Sequence, residues 1–164
     1  MISSIITDIL SIDIRELKLR YNQETRIDKR DLSDIHYYIG KIFLKKKRFR
    51  DAKNQLRKAV RLRMQYLGED HIFVGVSLNL LGIAHLEINN KDELEVAKRT
   101  FDQALEIFRN HFKDNSNDHV EIANVFQSLG SYYLYKNDTN PAFRYYKESI
   151  DIKSKILGKI GRAH

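Results

Sequence analysis

The chain has 164 residues, a single proline, no cysteine and a formal net charge of +7 at pH 7. Without cysteine, a disulfide framework and a thiolate metal site are excluded, and no segment approaches the roughly 20 apolar residues that a membrane-spanning helix needs. The scarcity of helix breakers favours one helix-rich globular domain. We expect it in the cytoplasm, because residues 1–8 lack the basic start of a signal peptide.

Residues 1–32 contain apolar side chains for one helix ahead of the more regular part of the chain. Those that would line its buried face are Ile9, Ile12, Ile14, Leu17 and Leu19. Two interpretations stay open for this segment. It is either a capping helix or the remnant of an upstream repeat, whose trace is Asp28, twelve residues before Gly40.

Three later segments share one pattern: an apolar residue, then glycine, then an aromatic residue or histidine three positions on. The glycines of the pattern are Gly40, Gly82 and Gly130, which lie 42 and 48 residues apart. A small residue follows each glycine after 19, 22 and 19 residues, namely Ala59, Ala104 and Ser149. We place the three additional residues of the middle unit in a turn around residues 89–93, since loop insertions cost little.

The pattern predicts a repeated helix hairpin. Apolar residues spaced three and four apart form one buried stripe on each helix, and glycine or alanine at a crossing lets two helix backbones approach. Because a single hairpin cannot bury its stripe, neighbouring hairpins must stack. We predict an all-α solenoid of stacked antiparallel helix hairpins, with units at about 33–74, 75–122 and 123–158. An ordinary helical bundle with chance similarity is the alternative.

These landmarks resemble the tetratricopeptide repeat, in which Leu-Gly-x-x-Tyr of helix A precedes Ala, an aromatic residue and Ala of helix B. The similarity is greatest to the kinesin-light-chain kind, in which Leu-Gly-x-Asp-His precedes Leu-Asn-x-Leu. This chain has Leu67-Gly68-Glu69-Asp70-His71 and then Leu78-Asn79-Leu80-Leu81-Gly82. The resemblance implies a right-handed superhelix that binds an extended peptide along its concave wall.

The resemblance also implies that helix A of each hairpin lines this wall, at positions three before, one after and five after the glycine. These positions hold Tyr37, Lys41 and Lys45 in the first unit, Asn79, Ile83 and Glu87 in the second, and Gln127, Ser131 and Tyr135 in the third. Asn79 is the leading candidate for peptide binding. It belongs to the Leu-Asn motif of the family, and an amide both donates and accepts hydrogen bonds, as a peptide backbone requires.

Residues 159–164 break the repeat. Leu157-Gly158 repeats Leu67-Gly68, but Lys-Ile-Gly-Arg-Ala-His follows it where the pattern requires an acidic residue, Asp and His. Read as codons, the last five residues match the start of a widely used sequencing adapter. We therefore expect residues 159–164 to be non-native and the chain to be part of a longer protein; a native exposed tail is the alternative.

No motif for catalysis or metal binding is present. The histidines are His36, His71, His85, His111, His119 and His164, and no two have the i, i+4 spacing of a zinc-binding helix. His85 takes the place of Phe43 and Tyr133 in the other units, so packing explains it. The glycines are isolated and form no phosphate-binding loop, and no nucleophilic serine motif occurs. We expect no enzyme, no metal and no cofactor.

Basic residues crowd the first inter-helix turn and the helix after it. They are Lys45, Lys46, Lys47, Arg48, Arg50, Lys53, Arg57, Lys58, Arg61 and Arg63. Such a cluster suits an acidic peptide or a nucleic acid, or forms a solvated helix face. We favour the solvated face, so a nucleic-acid partner is the less favoured interpretation.

Taken together, these features predict a scaffold that binds a peptide or a partner protein in its concave groove, with no membrane partner. Two alternatives stay open. One is a recognition domain whose effector enzyme lies elsewhere in a longer protein, and the other is a nucleic-acid-associated repeat protein that uses the basic cluster.

Overall fold

A computed structural model describes residues 28–112 and 119–162 of the chain. These residues form six helices and contain no strand. The helices are α1 (Lys29–Lys45), α2 (Phe49–Leu67), α3 (Ile72–Ile88), α4 (Lys91–His111), α5 (Val120–Tyr135) and α6 (Thr139–Arg162). The helix expected within residues 1–32 falls outside the described residues, except for its last few, which belong to α1.

The helices pair in chain order into three hairpins, α1–α2, α3–α4 and α5–α6. Turns of two or three residues join the helices of each hairpin, and so short a connection leaves them antiparallel. Helix α2 packs on α3, and α4 packs on α5, so that each hairpin stacks on the next. Helix α3 also contacts α1 and α5, which makes α1, α3 and α5 one wall. The all-α solenoid predicted from the sequence is confirmed.

The two helices of each hairpin approach closely at the glycine of the first helix. A Cβ atom on Gly82 would lie 2.7 Å from Cδ1 of Phe101, and one on Gly130 would lie 3.0 Å from the ring of Tyr146. Both distances are shorter than van der Waals contact, so glycine is what lets the ring reach the first helix. Ala104 and Ser149, one turn beyond these rings, are buried, as a small residue at a helix crossing should be.

The three additional residues of the middle unit lengthen a helix and not a turn. We expected them in a turn around residues 89–93, but that turn has only two residues, and Lys91 begins α4. Asn90 caps the helix, since its Oδ1 accepts a hydrogen bond from the backbone N–H of Glu93 at 3.0 Å. The additional residues precede Ala97 and Phe101, so the spacing of the buried landmarks of α4 is the same as in the other two units.

The first helix begins earlier than the sequence pattern indicated. Asp28 is the N-cap of α1, and its Oδ1 accepts from the backbone N–H of Arg30 at 3.5 Å. Helix α1 therefore begins four residues before the expected boundary at residue 33. His71 caps α3 in the same manner, with Nδ1 accepting from the backbone N–H of Phe73 at 3.2 Å.

Gly68 ends α2, whereas the matching Gly158 does not end α6. The backbone of Gly68 has φ +92° and ψ 159°, a conformation that is essentially confined to glycine and that breaks the helical path of α2. Helix α6 instead continues through Arg162, so the first residues of the expected tail, 159–164, are helical. The non-native origin of that tail stays a prediction.

Candidate functional site

A groove of about 380 Å³ lies between α3 and α5, on the wall that these helices form with α1. It is lined by Asn79, Leu80, Ile83, Leu86 and Glu87 from α3 and by Asn124, Gln127, Ser128 and Ser131 from α5. Five of these nine residues stand at the predicted inward positions of the second and third units. The structure thus brings five of the six candidates of those two units together in one groove.

The candidates of the first unit lie outside this groove. The ring of Tyr37 packs on the guanidinium group of Arg63, with its centre 4.4 Å from Cζ. Lys41 Nζ lies 5.6 Å from the centre of the Tyr37 ring, and Lys45 is exposed in the last turn of α1. Tyr37 therefore takes part in packing between helices, and no described contact connects these three residues to the groove.

Asn79 lines the groove and carries an unsatisfied buried polar atom. The residue is only 9% exposed, and its Oδ1 is buried without a hydrogen-bond partner among the described residues. The other buried polar residues of α3 are paired, since Ser77 bonds to Arg63 and His85 bonds to Glu93. An unpaired buried acceptor costs about 1–3 kcal/mol and is uncommon in folded proteins. Its accessible surface is nearly zero in this structure, so a ligand in the groove reaches it only after the Asn79 side chain turns.

Glu87 is the only ionisable residue in the groove lining. The hydroxyl of Tyr135 donates to Glu87 Oε2 at 3.2 Å, which links α5 to α3. Burial and the adjacent Glu87 raise the pKa of Tyr135, so its hydroxyl stays protonated at neutral pH and remains a donor. Tyr135 was predicted as a wall residue and does not line the groove, but it holds Glu87, which does, in position.

Helix α6 orients the polar groups of α5. Lys153 Nζ donates to Gln127 Oε1 at 2.7 Å, and the hydroxyls of Ser131 and Tyr146 share a hydrogen bond of 2.8 Å. Asn124 adds a second exposed amide one turn before Gln127. The α5 side of the groove therefore presents amide and hydroxyl groups, which both donate and accept hydrogen bonds.

Sequence reasoning missed four residues of the lining, namely Leu80, Leu86, Asn124 and Ser128. Asn124 lies three positions before Gln127, on the same helix face. The four-residue spacing of the predicted positions leads instead to Ala123, which is buried. The other three flank the predicted positions. They reach the groove only because α3 packs beside α5, and spacing within one helix does not encode that packing.

None of the ten clustered basic residues lines the groove. Three of them have partners: Arg48 pairs with Asp51 at 2.7 Å, Lys53 pairs with Glu93 at 2.5 Å, and Arg63 is buried between helices. The exposed ones lie in the turn after α1 and along α2. The cluster is therefore in part a set of structural contacts.

Other site types are not found in the part of the chain that the structure describes. There, no three histidine or acidic side chains are close enough to share a metal ion. Nor does any helix within residues 28–112 and 119–162 combine the length and the apolar composition of a membrane span. The groove is thus a site of amide, hydroxyl, apolar and carboxylate groups.

Comparisons with known proteins identify the repeats. Residues 31–110 and 123–156 match two family models, each described as a tetratricopeptide repeat. Among solved structures, the crystal structure of BtubC (BKLC) from P. vanneervenii is similar, with a TM-score of 0.69 and 21% sequence identity. The match covers 87% of this chain and 55% of that chain, so this chain spans about half the length of that relative. The likeness is one of fold. No curated protein sequence matches.

Proposed function

Because the chain belongs to the tetratricopeptide-repeat family, whose repeats are in general protein–protein interaction modules, we propose that it is a scaffold for a partner protein. An extended segment of that partner would bind between α3 and α5, and the chain itself would not be an enzyme. The observation that carries the proposal is a single groove whose lining includes three side-chain amides, one from α3 and two from α5. A peptide backbone offers both donors and acceptors, and the amides of Asn79, Asn124 and Gln127 complement both.

The apolar part of the groove supports the same function. Leu80, Ile83 and Leu86 line it together with the polar groups. Ligand sites typically combine apolar walls with a few polar groups that fix orientation, in volumes of roughly 300–1,000 Å³. A groove of about 380 Å³ therefore suits a few residues of an extended segment.

The test uses peptides that the protein itself selects. A library of random dodecapeptides displayed on phage is enriched on the purified chain, and a synthetic copy of an enriched peptide is titrated by calorimetry. Asn79→Ala is expected to weaken binding about tenfold, because one buried hydrogen bond is lost. The free energy of unfolding should fall by less than about 1 kcal/mol, because the substitution also removes an unpaired acceptor.

The matched control is Asn110→Ala, on the exposed C-terminal turn of α4 outside the groove. It should bind the selected peptide as tightly as the wild-type chain. The proposal fails if the library yields no enriched peptide, or if Asn79→Ala and the wild-type chain bind with equal affinity.

We also propose that the repeat array continues in a longer protein. Val60 of α2 and Leu105 of α4 are buried in helices that a following hairpin covers, whereas the matching Ile150 of α6 is 62% exposed. A further hairpin of the same kind would cover Ile150, and an effector enzyme is possible elsewhere in such a protein. A long-read sequence of the source transcript tests this, since the reading frame must continue past Gly158 into an acidic residue, Asp and His. The cytoplasmic location stays a prediction.

A further inference from the structure

The single charge in the groove indicates the chemistry of its ligand. Of the nine lining residues, Glu87 alone is ionisable, and none is Lys or Arg. Lys153 Nζ reaches Gln127 from α6, about two turns before Tyr135 on α5. The end of the groove at Glu87 is therefore acidic, in a chain with a formal net charge of +7. We propose, on the basis of the function proposed above, that the groove selects an extended peptide whose Lys or Arg side chain pairs with Glu87.

The contacts of Glu87 leave room for such a pair. Tyr135 supplies one neutral hydrogen bond, to Oε2, whereas an ionised carboxylate accepts about four. Among the described residues, no cation lies within ion-pair distance of Glu87. Glu87 is half-buried, so a cation beside it would be screened less by salt than at an open surface. A basic side chain from the ligand would donate to the acceptor sites of Glu87 that Tyr135 leaves open.

The spacing along α3 sets the register of the ligand. Asn79, Ile83 and Glu87 follow one another at four-residue intervals, which places them on one helix face about 6 Å apart. An extended peptide advances about 3.3 Å per residue. For a segment that runs along α3, successive contacts therefore come from positions about two apart. In this register the Asn79 amide bonds to the peptide backbone, Ile83 contacts an apolar side chain, and Glu87 pairs with a basic residue two positions further on.

The experiment compares peptide selection by two proteins. The dodecapeptide library is selected in parallel on the wild-type chain and on Glu87→Gln, whose amide oxygen still accepts from Tyr135. On the wild-type chain, Lys or Arg should be enriched about fivefold at one position, two residues from an apolar one. On Glu87→Gln this enrichment should disappear. Glu106→Gln, on the exposed face of α4, is the matched control and should select as the wild-type chain does.

A double-mutant cycle then locates the contact. Replacing the basic residue of an enriched peptide by norleucine should weaken binding to the wild-type chain about fivefold. The same replacement should have no effect on binding to Glu87→Gln. An effect of about fivefold that is present only when Glu87 is present would show that the peptide residue pairs directly with Glu87.

The outcomes separate this inference from the function on which it rests. If no peptide is enriched on the wild-type chain, the proposed function itself is wrong. If peptides are enriched and depend on Asn79, but Glu87→Gln selects the same residues, only the basic ligand is wrong. Enrichment of Asp or Glu on the wild-type chain would also overturn the proposal of a basic ligand. It would favour the basic cluster around the first turn as the binding surface.

Discussion

His85 of α3 lies beside an ion pair that joins the first two hairpins. Its Nδ1 donates to Glu93 of α4, while Lys53 Nζ of α2 donates to the other oxygen of Glu93 at 2.5 Å. Burial lowers the pKa of His85 against the opposing effect of Glu93, and the nearby Lys53 and Arg57 lower it further. His85 is therefore neutral at pH 7, and folding disfavours its protonation.

We expect the protein to lose stability as the pH falls below about 6.5, the ordinary pKa of histidine. Below this pH the unfolded chain takes up a proton at His85 that the folded chain resists, so protonation favours unfolding. His36, whose pKa is likewise lowered by burial, acts in the same direction. Above pH 6.5 neither residue should contribute a slope. Urea denaturation between about pH 5.5 and 8 measures the free energy of unfolding.

Variants assign this pH dependence to a residue. His85→Phe, which places an aromatic ring where the other units have Phe43 and Tyr133, should flatten the dependence. His111→Gln, in the exposed last turn of α4, should leave it unchanged. An equal slope in His85→Phe and the wild-type chain would show that His85 is not the group that titrates.

Arg63 of α2 connects three helices. Its Nη2 donates to Asp34 of α1 at 2.6 Å, and its Nη1 donates to Ser77 Oγ and to the Phe73 carbonyl oxygen of α3, at 2.7 and 3.1 Å. The ring of Tyr37 covers the same guanidinium group. The planar fork of arginine can reach acceptors on both sides of α2, which a single ammonium group cannot. Arg63 therefore helps to fix how the second hairpin stacks on the first.

Arg63→Lys is expected to lower the free energy of unfolding by about 2 kcal/mol, the size of one or two lost hydrogen bonds to a charged group. Asp34 is partly exposed, so water replaces some of the lost pairing and a larger effect is not expected. Arg61→Lys, two residues earlier and exposed on the same helix, should change the free energy of unfolding by less than about 0.5 kcal/mol. Equal values for the two variants, by urea denaturation, would exclude a special role for Arg63.

Equivalent residues of the three hairpins differ in burial, and therefore in how much they contribute to stability. Val60, Leu105 and Ile150 each follow the small residue of helix B, but the first two are buried and Ile150 is exposed. Phe143 and Leu157, on the same helix as Ile150 and seven residues from it on either side, are also exposed. Residues seven apart share a helix face, so α6 presents an apolar stripe in the described structure.

We predict that Leu105→Ala lowers the free energy of unfolding by about 2–4 kcal/mol, because it removes buried methyl groups and leaves a cavity. Ile150→Ala should change it by less than about 0.5 kcal/mol, since the side chain is mostly in water. Urea denaturation of the 164-residue chain compares the two directly. A large loss for Ile150→Ala would mean that the α6 stripe is covered in this chain.

Much of this molecule follows from spacing along the chain. The glycines at 40, 82 and 130 and the small residues after them predicted three hairpins, because a close helix crossing excludes any side chain at those positions. Helical periodicity then placed Asn79, Ile83 and Glu87 on one face, and Gln127 and Ser131 on another. Such patterns are local, so they are readable without knowledge of the neighbouring helices.

The rest depended on contacts between residues distant in the chain. Glu93 was assigned to a turn, yet in the fold it lies in the first turn of α4 and bonds to His85 and to Lys53 of another hairpin. The groove takes in Asn124 and excludes Tyr37, because it forms where α3 packs beside α5. Sequence periodicity determined which residues of each helix share a face, since 3.6 residues make a turn whatever surrounds it. Only the tertiary structure decided which of these faces meet and which polar atoms find partners there, because burial and pairing are properties of several helices at once.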